Sequence, residues 1–190
     1  TACGSEPNTS DMNAQTEPQY EVAIRWTSYG IPHVKADDWG SLGYGFAYAT
    51  ATDGICVFAR EIMTANGTLA ADLEASDENI VSDVFHRAII SDEKVLHFAS
   101  GLTDNTRTFN TGFVAGYNRY LEDKRDELPA GCAEKEWVRP IDEASLGRML
   151  ISFGIRYGLG RVQEGIAAAA PPGEVVARVE LDFEPKQVLG

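Results

Sequence analysis

Arg25-Trp26-Thr27-Ser28-Tyr29-Gly30-Ile31-Pro32-His33-Val34, with Gly43-Tyr44-Gly45-Phe46-Ala47-Tyr48-Ala49 close behind it, sets two kinds of structure end to end. Val22, Ile24 and Trp26 alternate with polar neighbours, the period of a strand that turns one face to a core. Tyr29-Gly30 reads as a turn and Ile31 to Val34 as the returning strand, so a β-hairpin opens the chain's ordered part. A helix is predicted directly after it. Asp37 or Asp38 can cap that helix, and Leu42, Phe46 and Ala49 form its apolar stripe. Gly40, Gly43 and Gly45 leave room for another backbone to come close. Asp53-Gly54 predicts a break, Val57, Phe58, Ile62 and Met63 resume on a second helical face, and Asn66-Gly67 ends the element.

Farther on, Phe109, Phe113, Tyr117 and Leu121 recur every four residues, which predicts a core helix starting near Thr103 or Asp104. Leu128 to Pro140 holds Pro129, Gly131, Cys132 and Pro140 and reads as a loop anchored by Trp137. A last long helix is predicted from Asp142-Glu143, whose carboxylates suit the positive end of a helix dipole, to about Ala170, where Pro171-Pro172-Gly173 stops it. The fold class is therefore α+β, mostly helical with an N-terminal hairpin, and no internal repeat is visible. Residues 1–18 are polar beyond the first few and lack an apolar period, as a flexible leader does.

Composition limits the function. The chain has 190 residues, of which 44% are hydrophobic, enough to bury a core, and a formal net charge of −13. Such an acidic surface repels polyanions, so nucleic acid is not an expected partner. No apolar stretch reaches the eighteen or so residues that span a bilayer, so the chain is expected to be soluble unless something is attached to it. Three cysteines allow one bridge and leave one thiol over. Cys3, in Thr1-Ala2-Cys3-Gly4-Ser5, resembles the acylated cysteine of a bacterial lipoprotein signal, and an ordinary processing end is the competing reading. Cys56 on its own could equally be a buried apolar thiol.

No nucleophile constellation is visible in these residues. His33, His86 and His97 are scattered, no serine sits in a Gly-x-Ser-x-Gly elbow, and no cysteine or histidine pair has metal-ligand spacing. His33 is expected to orient the hairpin, and His86 and His97 to be at the surface or partly buried. Gly40, Gly43 and Gly45 lack dinucleotide-loop spacing, so no cofactor is predicted. Asn66-Gly67-Thr68 matches a glycosylation sequon, a triplet frequent by chance.

The hairpin and its helix, together with Ser82-Asp83-Val84-Phe85, the helix Gly112 to Leu121 and Ala167-Ala168-Ala169-Ala170-Pro171-Pro172-Gly173, resemble the small chain of penicillin-acylase-like N-terminal nucleophile hydrolases. Within that family the likeness is to acyl-homoserine-lactone acylases and aculeacin acylases, and it covers roughly residues 20 to 173. The resemblance implies residues 19–173 as the body of the small chain and 174–190 as a segment leading to a self-cleavage site at Gly190. The larger chain would then begin with serine and complete an αββα fold. Its free α-amino group, with a pKa near 8, would serve as base for its own hydroxyl in attack on an amide carbonyl. The catalytic groups are thus expected on the partner, and the substrate is expected to be a small acyl amide. Fatty-acyl homoserine lactones come first, with penicillins and lipopeptides as alternatives. The resemblance also implies a Cys56–Cys132 disulfide in a periplasmic or exported protein. Calcium binding in related enzymes touches a region near Glu164, but the register does not match and no metal is predicted. A reading from another class is an exported helical scaffold with no enzymatic partner.

The resemblance places Phe153 where the small chain lines the acyl pocket. Spacing by four puts Met149, Phe153 and Tyr157 along one side of the predicted last helix, and Gly154, Gly158 and Gly160 favour a bend beside a ligand. Ordinary core packing is the competing account of the same stripe.

Overall fold

The computed structural model describes residues 19–133 and 135–169. The expectations for Cys3, the leader 1–18, the segment 174–190 and Gly190 lie outside the described residues. Strands β1 (Ala23–Trp26) and β2 (Pro32–Lys35) pair antiparallel, with Ile24 opposite Val34 and Trp26 opposite Pro32. The turn closes through Thr27, whose carbonyl accepts from the Gly30 amide at 3.0 Å, and Gly30 has φ +76°, a conformation that favours glycine.

Helix α1 (Trp39–Asn66) follows at once. Asp38, not Asp37, is its cap, accepting from the Ser41 amide at 2.8 Å, while the Ser41 hydroxyl accepts from the Glu21 amide at 3.0 Å and so ties the hairpin to the helix. The predicted break is present. Gly54 leaves helical geometry at φ −163°, ψ 49°, and α1 kinks there. Gly67 at φ +64° closes the helix with left-handed capping bonds back to its last turn.

Helix α5 (Asp104–Lys124), capped by Thr103, is the main partner of α1. A Cβ added to Gly112 would lie 2.7 Å from the Gly40 carbonyl carbon, and one on Gly116 the same distance from that of Tyr44. The two helices therefore meet backbone to backbone, as the glycine spacing suggests. Their seam holds Ala47, Ala51, Ile55, Phe113, Tyr117 and Leu121, all buried.

Between them the chain forms α2 (Leu69–Asp72), α3 (Asp77–Ile89) and α4 (Asp92–Ser100), a stretch for which apolar periods predict no element. The starts of α3 and α4 are marked instead by serine caps, Ser76 accepting from the Asn79 amide and Ser91 from the Lys94 amide. Asp83 explains the Ser82-Asp83-Val84-Phe85 motif structurally, since its carboxylate accepts from the Leu69 and Ala70 amides, both at 2.9 Å, and locks α2 onto α3.

The loop after α5 is anchored as the sequence implies. Trp137 packs against the core, Val138 is buried, and Asn118 grips Ile141 by a reciprocal pair of bonds at 2.9 and 2.8 Å. Cys132 in this loop is bonded to Cys56 of α1. Helix α6 (Glu143–Ile155) is capped by Asp142, whose carboxylate accepts from the Ser145 amide at 2.7 Å. It does not run to Ala170. Arg156 to Gly158 turn away, Leu159–Val162 make a 3-10 turn, and α7 (Gln163–Ala167) is a short separate helix. Gly158, at φ −107°, ψ −102°, leaves the helical region, and the neighbouring glycines lower the tendency to resume it.

Candidate functional site

The kink at Gly54 and the end of α6 together leave a trough open between α1, α5 and α6. It encloses about 720 Å³, and its lining includes Phe46, Val57, Phe58, Phe113, Met149, Leu150 and Phe153. Sequence reasoning assigns Val57 to the face it shares with Ile62 and Met63. In the fold those two are buried, whereas Val57 is 68% exposed at the trough: five and six residues along a helix turn Ile62 and Met63 more than about 100° away from Val57, so the three do not share a face. Phe46 is likewise half-exposed, not core, its ring 6.0 Å from that of Phe113. Phe58 lies against Phe113 and Tyr117 at 5.6 and 5.2 Å between ring centres, which makes the floor rigid and aromatic.

Met149 and Phe153 meet in this trough. Met149 is buried at its base and Phe153, 41% exposed, stands at its side. Tyr157 is not among the lining residues: it falls beyond the last residue of α6 and is 84% exposed, so the stripe of three stops at two. Glu61 of α1 and Arg156, just past α6, join the trough's lining as an ion pair, and the Arg156 guanidinium also lies 4.9 Å from the centre of the Phe153 ring. Neither charge carries a sequence signal of this role, since they are 95 positions apart.

Beside the trough, His86 is buried, deeper than the surface or partly buried place expected of it. Its Nδ1–H donates to the Ser82 carbonyl at 2.8 Å, which leaves Nε2 to accept from the Ser152 hydroxyl at 3.2 Å. Burial holds the imidazole below its ordinary pKa, against the opposing effect of the Ser82 carbonyl. This serine–histidine contact ties α3 to α6. Ser152 lies inside α6, where backbone amides are committed to the helix and cannot gather around an oxyanion. His33 is exposed on β2 and His97 exposed on α4. Among the described residues, no group of three or more His, Cys, Asp or Glu is placed to hold a metal ion.

Residues 21–178 match the penicillin amidase family profile. The chain belongs to the penicillin amidase family. Among the curated members, acyl-homoserine lactone acylase PvdQ of Pseudomonas putida is 36% identical over 175 residues, 88% of this chain and 22% of the relative. Aculeacin-A acylase of Actinoplanes utahensis is 39% identical over 165 residues, 80% of this chain and 21% of the relative. The chain thus spans about a fifth of the length of the penicillin amidase relatives it matches. Among solved structures, the thermostable penicillin G acylase from Alcaligenes faecalis superposes with a TM-score of 0.66 at 19% identity, covering 85% of this chain and 98% of the matched one, a likeness of fold. No described helix of this penicillin amidase chain is long and apolar enough to cross a membrane.

Proposed function

We propose that this chain is the small subunit of a self-processed, two-chain amidohydrolase that cleaves the amide bond of N-acyl-homoserine lactones. The observation that carries the reading is the apolar trough, whose aromatic floor and Met149–Phe153 wall suit an aliphatic tail. Each methylene transferred from water into such a surface gains roughly 0.8 kcal/mol. The trough supplies binding and no chemistry. In this reading a serine at the start of the partner chain attacks the amide carbonyl, its α-amino group takes the hydroxyl proton, and water then releases the acyl group. The small chain's part is to fix the tail so that the carbonyl reaches that serine.

Likeness to acyl-homoserine lactone acylases over most of the chain supports the substrate class. The disulfide supports an exported location, since oxidising compartments preserve such bridges. A second reading, deacylation of cyclic lipopeptides, is supported by the aculeacin-A acylase likeness and uses the same trough for the same kind of tail. The deciding experiment purifies the protein from its full coding sequence, records intact masses and N-terminal sequences, and assays acyl-homoserine lactones, acylated cyclic peptides and penicillins side by side. A second chain beginning with serine and preferential release of homoserine lactone are expected. A single unprocessed chain, or material inert toward all three classes, would refute the reading.

A further inference from the structure

We propose that Glu61 and Arg156 form the end wall of the apolar trough and set the longest acyl tail it accepts. The proposal rests on the acylase reading and specifies what limits its substrate. Arg156 makes two contacts at once: its guanidinium pairs with Glu61 across the gap between α6 and α1, and it lies over the Phe153 ring one turn earlier in the chain. An acid on one wall and an aromatic ring on the other are thereby held by a single planar cation.

What lies behind the pair gives it this role. A second cavity, of about 280 Å³, adjoins the first, and Glu61 and Arg156 are the two residues common to both linings. The second space is polar, lined by Asn79, Ser82, His86 and Ser152 among others. On the trough side stand Phe46, Val57, Met149 and Phe153. A methylene arriving at the pair would take water from two charges and return no hydrogen bond, so extension of the tail ceases to be favourable there. With the pair removed, the trough opens toward the space behind it. Arg156 also restrains the Phe153 ring, so loss of the guanidinium frees the side chain that narrows the trough at the same end.

A half-exposed ion pair contributes little to folding, which separates this role from a structural one. Its loss is expected to appear in selectivity and hardly in stability. The test compares the processed two-chain protein with its Arg156→Met, Arg156→Lys and Glu61→Gln variants on N-acyl amides from hexanoyl to tetradecanoyl, with a thermal midpoint for each. Arg156→Met is expected to raise the ratio of kcat/KM for tetradecanoyl over octanoyl by about tenfold, as two further buried methylenes would, through a lower KM for the long tail. Glu61→Gln shifts the ratio in the same direction by less, and Arg156→Lys, which keeps the charge opposite Glu61, stays near the parent. Unaltered ratios in all three variants, or an equal loss at every chain length, would overturn the proposal. If the parent hydrolyses no acyl amide, the acylase reading fails on its own. The wall is then judged by calorimetric affinities of octanoate and tetradecanoate for the parent and Arg156→Met: a gain confined to the long acid supports it, and parallel affinities overturn it.

Discussion

Phe153 of α6 and His86 of α3 face different cavities and fail differently when altered. Phe153 stands at the side of the trough without filling the core, so Phe153→Ala removes apolar volume where a tail would lie and leaves the buried Met149 beneath it. Preference in a substrate series is expected to move toward longer tails by roughly threefold to tenfold in relative kcat/KM, the scale of one or two methylenes. A chain-length profile unchanged from the parent would remove Phe153 from the proposed acyl site. His86 is instead enclosed, with burial lowering its pKa in the folded state. The unfolded chain therefore holds the proton more tightly than the folded one. Stability from this group is complete above the ordinary histidine pKa of about 6.5 and declines as pH falls from there toward the lowered folded value. The N-cap carboxylates Asp38 and Asp142, also lowered, are lost in a separate window at and below about pH 4. Urea midpoints between pH 7.5 and 5.5 are expected to fall in the parent and to fall less in His86→Gln. Equal slopes in the two proteins would show that His86 does not titrate with folding.

Among elements, the α1–α5 contact is the one most dependent on sequence detail. Gly43, Gly112 and Gly116 each face a backbone carbonyl of the other helix, and backbone atoms cannot turn aside as a side chain can. Gly112→Ala is accordingly expected to cost about 2–3 kcal/mol in a urea titration, although alanine is the better helix former, because overpacking outweighs propensity. A neutral or stabilising result would mean that the helices can separate without loss. This contact was legible in part from Gly40, Gly43 and Gly45: Gly40 and Gly43 do meet the α5 backbone, whereas Gly45 makes room for the Val22 and Val34 side chains of the hairpin segment. The hairpin, the Gly54 break and the anchored loop were legible, each carried by a glycine, a proline or a clean period. The helices from Asp77 to Ser100 were not, because both are short and show few buried apolar positions: Val95 is the buried side chain of α4. The trough was half legible. Met149 and Phe153 could be paired on a predicted helix, but which apolar residues of α1 are left at the open trough, Phe46 and Val57 among them, is decided by how α1 packs on α5 and α6, and Tyr157 drops away because α6 ends early. A local pattern fixes neither packing nor end.

At the scale of the molecule, the chain has a well-packed seam and large apolar side chains left exposed away from it. Val57 and Leu96 are each about 70% exposed, and Phe153 stands beside a wide trough, within a chain that matches a fifth of its relatives' length. The Cys56–Cys132 bridge braces one of these exposed regions, the trough. Cys56 precedes Val57 and Phe58 on α1, so the bond pins the trough's α1 wall to the loop that follows α5. It closes a span of 76 residues that includes α2 to α5, and chain entropy gives such a closure about 4.5 kcal/mol. Alanine is the suitable replacement at both ends, since Cys132 is fully buried and a serine hydroxyl there would need a partner. The Cys56→Ala/Cys132→Ala protein, purified from its full coding sequence, is expected to unfold with about 3–5 kcal/mol less free energy than the parent in urea, and, on the proposed function, to lose affinity for long acyl tails before it loses helicity. The order follows from position: the bridge holds one wall of the trough directly, whereas the α1–α5 seam is also held by backbone contact along its length. A stability within about 1 kcal/mol of the parent would show that the seam and the Asn118 clamp alone fix that wall, and the trough would then owe its shape to the Gly54 kink and not to the bridge.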